Sequence, residues 1–246
     1  MKDASINAYD LPARVASYDA DMELMHPRRS KMVDIALEVM PFDQNDALQA
    51  LDLGSGTGYF TSRFLQKYPK GRVVAIDGAE AMADMAKARL QNLAAQVEFG
   101  VGDFRNLDEM VPGEERFDVV YTSYALHHLS AIDKLSVIKA IVSRLKPGGW
   151  FLNADLIYSE IDKIEERIQQ IRIDGIVRRA SGKDERFADH TATRQFIDDL
   201  QAKEQDKPLT LAEDLELLKK ASLHTSDVFW LEYREAVTGG FKEERK

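Results

Sequence analysis

The chain has 246 residues and no cysteine, and its 33 Lys and Arg against 42 Asp and Glu give a formal net charge of −9. The length is that of one domain, and the lack of cysteine excludes disulfides, thiolate metal sites and a cysteine nucleophile. The acidic balance disfavours a broad nucleic-acid surface, because nonspecific affinity for phosphates needs clustered positive charge. The sequence shows neither a signal peptide nor an 18-residue apolar stretch, so we expect a cytoplasmic protein with no membrane segment.

The first part of the chain predicts a helical cap followed by an α/β core. Two helices are expected over residues 7–19 and 28–40, within an N-terminal cap that spans 1–44. From 45 to 156, short apolar runs alternate with amphipathic stretches, which is typical of a parallel sheet covered by helices. The predicted strands are 50–53, 72–77, 96–100, 117–123 and 150–155, and the predicted helices are 59–68, 81–93 and 131–145. Lys146-Pro147-Gly148-Gly149 is expected to form the turn after the last of these helices.

The remaining chain predicts a helical insertion over 157–208 and a C-terminal segment over 209–246, all within a single domain. Isoleucines at 157, 161, 164, 168 and 171 are spaced by four and three residues, which predicts a long amphipathic helix. Residues 178–208 are charged and poor in large apolar side chains, so we expect an exposed, mobile connection. A helix over 211–221, a strand over 227–236 and a hairpin near Gly239-Gly240 are predicted to follow.

The sharpest local signal is the sequence LDLGSGTG at residues 51–58. A buried strand runs into a turn with glycine at every second position and then into a helix, which is where nucleotide-like ligands lie in open α/β sheets. Asp77 ends the next predicted strand, where a carboxylate accepts hydrogen bonds from both hydroxyls of a ribose. An NAD fingerprint would need a third glycine at position 59, which is Tyr59. An NAD-dependent oxidoreductase is therefore the less favoured alternative.

At this point the sequence resembles the class I S-adenosylmethionine-dependent methyltransferases. LDLGSGTG resembles the first motif of that family, VVAIDGAEAM the second and VEFGVGDFRNL the third. FDVVYTSYALHHL and LKPGGWFLNADL resemble the motifs of the fourth and fifth strands. The resemblance covers residues 45–156. It implies a Rossmann-like, doubly wound, seven-stranded and mostly parallel sheet with an antiparallel last strand and helical cap segments.

The resemblance also implies a cofactor site for S-adenosyl-L-methionine, with S-adenosyl-L-homocysteine as product and a small-molecule acceptor. Asp77 would bind the ribose, Met82 would lie near the adenine, Asp103 would bond the adenine amine, and Phe104 would offer its backbone amide. The other cofactor residues that it implies are Asp52, Gly54, Ser55, Gly56 and Tyr124. Because ligands of such sheets bind along the carboxyl edge, the N-terminal cap and the insertion are candidates for a substrate lid. A homodimer is left open.

Outside the core, Tyr18-Asp19 and the closing EDLELLKKASLHTSDVFWLEY resemble small methyltransferases related to carboxy-S-adenosylmethionine synthase. In those proteins an N-terminal tyrosine closes over the cofactor, a role that Tyr18 would take here unless it only packs. The synthase holds its extra carboxylate with an arginine that aligns with Leu217. A leucine cannot pair with a carboxylate, so ordinary S-adenosylmethionine is favoured. A synthase-like enzyme and a non-catalytic S-adenosylmethionine-binding module remain alternatives.

His127 and Asp155 are the predicted catalytic pair, because they follow or end two strands that we expect to be adjacent and parallel. Asp155 would orient the imidazole of His127, which would act as general base; many methyl transfers need no base, so pocket lining or helix capping is the alternative. No metal is predicted, since His127 and His128 would point about 100° apart on a helix. Arg178 and Arg179, with Lys183 and Arg186, would bind an anionic substrate or, as favoured, form a solvated face.

Overall fold

The structure, a computed structural model, describes residues 4–244, so the ends of the predicted N-terminal cap and C-terminal segment lie outside the described residues. The cap holds three helices where two were predicted: α1 (Ala4–Tyr9), α2 (Pro12–Met25) and α3 (Arg29–Glu38). The predicted first helix is interrupted because Pro12 starts α2, and proline is favoured in a first helical turn, where its missing N–H is not needed.

The central sheet confirms the predicted fold class. Its strands in chain order are β1 (Gln49–Leu53), β2 (Arg72–Asp77), β3 (Val97–Val101), β4 (Phe117–Ser123), β5 (Leu145–Tyr158), β6 (Leu209–Thr210), β7 (Thr225–Glu232) and β8 (Glu235–Phe241). The spatial order is β3-β2-β1-β4-β5-β8-β7, and the short β6 pairs with the end of β5. The first five strands are parallel, whereas the last, β8, runs antiparallel to β5 and β7.

Helices cover both faces of this sheet: α4 (Tyr59–Lys67), α5 (Glu80–Arg89), α6 (Leu107–Met110), α7 (Ala131–Arg144), α8 (Asp162–Ala180), α9 (His190–Glu204) and α10 (Leu211–Lys220). Successive side chains of a strand point to opposite faces. Accordingly, Val120 of β4 packs in one core cluster and Tyr121 in the other. None of the helices within residues 4–244 has the length and apolar character needed to cross a bilayer.

The strand–helix boundaries around β5 differ from the prediction. Leu145 already pairs with Phe117, and the regular register resumes only where Trp150 pairs with Val119. Lys146–Gly149 therefore forms an irregularity inside the strand, with Gly148 at φ +76°, and not a turn before it. Ile157 belongs to β5, so the long helix α8 begins at Asp162 and not at 157.

The prediction of an exposed connection over 178–208 is wrong. α8 continues to Ala180, α9 spans His190–Glu204, and Phe187 and Ile197 are buried. These two side chains join Met25 of α2 and Ile173 and Ile176 of α8 in a third, smaller core. A few apolar residues are enough to bury this segment, because α2 and α8 supply the rest of the cluster. The low hydrophobicity of residues 178–208 therefore does not indicate exposure.

The last hairpin turns earlier than predicted. Its turn lies at Tyr233-Arg234, whereas Gly239 and Gly240 lie inside β8. A Cβ at Gly239 would be 2.1 Å from the Phe151 carbonyl oxygen, and one at Gly240 would be 2.0 Å from the Thr225 carbonyl oxygen. The two glycines thus permit close approach of neighbouring backbones, a use of glycine in strands that resembles a turn signal in sequence.

Candidate functional site

The glycine-rich loop between β1 and α4 is folded tightly over the end of β2. The amides of Gly54 and Ser55 both donate to the Ile76 carbonyl oxygen, at 2.8 and 2.9 Å. Gly54 has φ +74°, and a Cβ there would be 2.5 Å from the Cβ of Ala125. Only glycine fits a position that combines this dihedral angle with this approach.

Asp77 lies at the carboxyl end of β2 and binds the same loop. Its carboxylate accepts hydrogen bonds from the amides of Gly56 at 2.7 Å and Ala79 at 2.8 Å. Burial raises the pKa of Asp77, while the two amides oppose that shift. The carboxylate is therefore held at the edge of the sheet where the predicted ribose would bind.

A cavity, here called the cofactor cavity, opens beside this carboxylate. Eight of the residues that the sequence assigns to the cofactor line it: Tyr18, Gly54, Gly56, Asp77, Met82, Asp103, Phe104 and Tyr124. Ser5, Ile6 and Tyr9 of α1 also line it. The structure thus gathers residues from four sheet loops and from the N-terminal cap around one space. Their contacts with S-adenosylmethionine remain a prediction.

Two predicted cofactor residues, Asp52 and Ser55, do not line this cavity. Asp52 is buried below the loop, where its carboxylate accepts a hydrogen bond from the Thr61 hydroxyl at 2.6 Å. Burial raises the pKa of Asp52 to about 7, the Thr61 hydrogen bond opposes the shift, and the nearby Asp77 adds to it. Asp52 therefore ties the loop to α4, and it adds negative charge beneath the site only when it is ionised.

The raised pKa of Asp52 predicts a pH-dependent cost in stability. The folded state favours the protonated form of Asp52. The resulting contribution to the free energy of unfolding is complete below the unfolded pKa of about 3.9 and is lost as pH rises through the folded pKa of about 7. Asp52→Asn keeps an acceptor for Thr61 without the charge. We expect the difference in free energy of unfolding between Asp52→Asn and wild type to grow from about pH 4 to pH 7. It should reach a few kcal/mol, because each unit of difference between the folded and unfolded pKa corresponds to about 1.4 kcal/mol.

Urea unfolding at pH 5 and pH 8 measures this advantage. Asp84→Asn, which removes an exposed carboxylate of α5, serves as the control and should follow wild type at both pH values. Equal gaps between Asp52→Asn and wild type at the two pH values would contradict the assignment.

Tyr18 lies on α2 and lines both the cofactor cavity and a second cavity, which is described below as the inner cavity. Its ring meets the ring of Tyr9 edge-on with centroids 6.0 Å apart, and the Arg14 guanidinium lies 5.1 Å from its centroid. The neighbouring Asp19 binds Arg29 at 2.7 Å and accepts from the Thr57 hydroxyl at 3.0 Å. The cap helix that carries Tyr18 is thereby attached to the glycine-rich loop.

Two further cavities lie near the cofactor cavity. The inner cavity lies under the cap and shares Tyr9, Tyr18 and Tyr124 with the cofactor cavity. The arginine cavity shares Met25, His26, Leu156 and Arg172 with the inner cavity. It is also lined by Arg28, Arg178, Arg179 and Arg234. The shared side chains thus place the inner cavity between the cofactor cavity and the arginine cavity.

Arg172 of α8 lines both the inner cavity and the arginine cavity. Among residues 4–244 its guanidinium makes no ion pair within 4.0 Å, whereas Arg234 pairs with Glu165 at 3.1 Å. With the Gln201 amide turned so that its oxygen faces both guanidinium groups, that oxygen accepts from Arg172 and Arg234 at 3.3 Å. Burial, followed by repulsion from Arg234, lowers the pKa of Arg172 to about 10. Attraction to Glu235 and Asp206 opposes this shift of the pKa. Arg172 therefore keeps a positive charge between two cavities without an ion pair among residues 4–244.

The four basic residues predicted either to bind an anionic substrate or to form a solvated face lie in different environments. Arg178 and Arg179 line the arginine cavity, as the substrate-binding alternative requires, and Arg179 also donates to the Leu24 carbonyl oxygen at 2.8 Å. Arg186 instead pairs with Asp21 at 2.7 Å and with Asp184 at 2.6 Å. Lys183 is exposed.

The predicted pair of His127 and Asp155 is in contact. β4 and β5 are adjacent and parallel, and His127 Nδ1 lies 2.6 Å from Asp155 Oδ1. His127 Nε2, however, is 3.5 Å from Asp206 Oδ1. Burial disfavours the protonated ring, but Asp155 and Asp206 outweigh it and raise the pKa of His127 to about 10. A ring that is already protonated cannot accept a proton, so this arrangement does not support a general base.

The expectation that His127 and His128 point apart is wrong. They lie in a single 3-10 turn, Leu126–His128, and their ring centroids are 4.0 Å apart. His128 Nδ1 lies 3.1 Å from the same Asp206 oxygen that faces His127.

Sequence reasoning missed Asp206 and Arg172. Asp206 lies just after α9, in the segment whose charged composition predicts exposure. Arg172 is one of many charged residues on the long helix α8. Neither carries a local pattern that separates it from surface charge. Only the packing of α8 and α9 over the sheet places them at the site.

Comparison with known proteins identifies the domain. Residues 50–149 match the family model described as a methyltransferase domain. This region contains the glycine-rich loop, Asp77, Asp103 and the histidine turn. The chain therefore carries a methyltransferase domain, and S-adenosylmethionine is the cofactor of this domain.

Individual relatives agree with this identification. The chain is 36% identical over 108 residues to the biotin biosynthesis bifunctional protein BioHC of Teredinibacter turnerae, covering 41% of this chain but only 18% of that relative. It is 24% identical over 221 residues to the carboxy-S-adenosyl-L-methionine synthase of Nautilia profundicola, covering 89% of this chain and 88% of the relative.

A solved structure of similar fold comes from Haloferax volcanii. It is a complex between the Trm112 methyltransferase activator and a methyltransferase, and the matched chain has a TM-score of 0.63 at 20% identity. The match covers 94% of this chain and 95% of that chain. At this identity the likeness concerns the fold alone.

Proposed function

We propose that this protein transfers the methyl group of S-adenosylmethionine to a small-molecule acceptor that carries a carboxylate or phosphate group. The observation that carries this proposal is the row of cavities. The cofactor cavity and the inner cavity share the side chains of Tyr9, Tyr18 and Tyr124, and Arg172 lines the inner cavity but not the cofactor cavity. An anionic group bound to Arg172 would neutralise its charge and leave the rest of the acceptor near Tyr18 and Tyr124.

The expected contribution of the protein is alignment. The nucleophile, the methyl carbon and the leaving sulfur must lie in line, and holding that geometry in a closed site supplies several kcal/mol of rate enhancement. The cationic sulfonium would be favoured near the carboxylate of Asp77 and near Asp52 in its ionised form. The cap helices α1 and α2, together with α9 of the insertion, would exclude water from the acceptor. Closure of the cap and the insertion on ligand binding is part of this proposal.

The test uses methyl-labelled S-adenosylmethionine with a panel of carboxylated, phosphorylated and neutral acceptors. We expect label in one or more anionic acceptors. Arg172→Met should raise KM for such an acceptor at least tenfold while leaving donor affinity within about twofold, because hydrogen bonds to charged groups contribute about 1.5–3 kcal/mol. Arg167→Met, which changes an exposed arginine of the same helix, is the matched control. Labelling of neutral acceptors alone, or an unchanged KM of Arg172→Met for a labelled anionic acceptor, would overturn the anionic class.

A second candidate is modification of the cofactor itself, as in a synthase of carboxy-S-adenosylmethionine. The match to such a synthase across most of both chains favours it. Against it, Leu217 is packed in the core on α10 and does not line the cofactor cavity, so this position offers no cation for an extra carboxylate. Mass spectrometry of the bound nucleoside after purification distinguishes the two, since only the second candidate predicts a carboxylated derivative. Absence of any turnover despite donor binding would indicate a non-catalytic binding module.

A further inference from the structure

We propose that His127, His128 and Asp206 form a binding site for a divalent first-row transition metal ion. Each residue offers one possible ligand atom, and these three atoms lie within 4.8 Å of one another. Asp206 Oδ1 is 3.5 Å from His127 Nε2 and 3.1 Å from His128 Nδ1. Ligands bound at about 2.1 Å in tetrahedral or octahedral geometry lie roughly 3 to 3.5 Å apart, so little adjustment is needed.

Unsatisfied polar atoms mark the same point. His128 Nδ1 and Asp206 Oδ1 are buried and lie 3.1 Å apart, yet neither atom makes a hydrogen bond with residues 4–244. Buried polar atoms are nearly always satisfied, so an orphaned pair facing each other indicates a missing ligand. A cation between them would satisfy both atoms at once.

The surrounding residues hold the three groups in place. Asp155 binds His127 Nδ1 at 2.6 Å and the His127 amide at 3.0 Å, which directs Nε2 toward Asp206. A carboxylate on the far nitrogen of a histidine is the usual outer partner of a metal-bound imidazole. The Lys207 amide donates to the His127 carbonyl oxygen at 2.6 Å, which fixes Asp206 beside the histidine turn.

The donor set selects the class of ion. Two imidazoles and one carboxylate suit zinc, iron, cobalt, nickel or manganese in the divalent state, whereas magnesium and calcium prefer an all-oxygen set. Three protein ligands leave coordination positions open. His128 lines the cofactor cavity, and His127 and Asp206 line the inner cavity. The ion would therefore lie at the boundary of the two cavities, where an acceptor oxygen would complete its coordination.

The experiment measures metal binding directly and uses neither donor nor acceptor, so its outcome is independent of the proposed methyl transfer. The full chain is treated with a chelator, dialysed and titrated with Zn²⁺ by calorimetry and with Co²⁺ by visible absorption. We expect one ion per chain and the absorption bands of a nitrogen- and oxygen-ligated cobalt ion. Asp206→Asn and His128→Gln should each weaken binding at least tenfold, with circular dichroism confirming that they fold.

His190→Gln, which changes an exposed histidine at the start of α9, is the control and should bind like wild type. Binding that is lost in both site variants and kept in the control supports the proposal. No stoichiometric binding, or equal binding by all variants, overturns it and leaves a protonated His127 paired with two aspartates.

Discussion

Replacing Asp77 by alanine should lower the affinity for S-adenosylmethionine at least tenfold while the fold persists. The carboxylate is the predicted acceptor for the ribose hydroxyls, and each hydrogen bond to a charged group contributes about 1.5–3 kcal/mol. Asp77 also holds the amides of Gly56 and Ala79, so its loss loosens the glycine-rich loop as well. Calorimetry gives the dissociation constant, and thermal unfolding reports the fold.

Asp118→Ala separates the two effects. Asp118 also accepts a backbone amide, that of Gln49 at 2.7 Å, but it lies at the amino end of β4, the opposite edge of the sheet. This control should lose a comparable hydrogen bond without losing donor affinity. A dissociation constant for Asp77→Ala equal to that of wild type would rule out the ribose assignment.

Lys134→Met should destabilise the protein by about 3–5 kcal/mol, because it leaves a buried carboxylate without its counter-ion. Lys134 Nζ of α7 lies 2.7 Å from Asp214 Oδ1 of α10, with side-chain exposures of 1% and 3%. Burial raises the pKa of Asp214, and Lys134 opposes that shift. A loss of this size is a large share of the roughly 5–15 kcal/mol that stabilises a typical domain.

The double variant Lys134→Met with Asp214→Leu should recover most of this loss, since a buried ion pair and an apolar pair of similar volume are often close in stability. Lys87→Met removes one partner of an exposed pair with Asp84 on α5 and should cost no more than about 1 kcal/mol. Urea unfolding of the four proteins provides the comparison. A single variant as stable as the Lys87→Met control would contradict the buried-pair argument.

The core of the fold could be predicted because its signals are local. β2 and β4 have the predicted bounds, since a short apolar run between turn residues identifies a buried strand. The loop after β1 was identifiable because its glycines are required by positive φ and by contact with Ala125. Asp77 was identifiable because it ends the strand that follows this motif.

The limits of the elements were less predictable where tertiary packing overrides local preference. The Lys-Pro-Gly-Gly sequence at 146–149 has the composition of a turn, but pairing of Leu145 with Phe117 places it within β5. Gly239 and Gly240 also have the composition of a turn, and they lie inside β8 because neighbouring backbones approach too closely for a side chain.

The sequence by itself determined the Rossmann-like sheet, the cofactor edge and the contact between His127 and Asp155, because strand order and motif position place these residues at one edge. Only the tertiary structure decided the environment of His127, because Asp206, which follows α9, contacts it from a position distant in sequence. It also decided that Arg172, which makes no ion pair with residues 4–244, lies between two cavities, because only the packing of α8 brings this residue to their walls. The physical reason is that the charge state and contacts of His127 and Arg172 depend on neighbouring groups, and these groups come from segments that are distant in sequence.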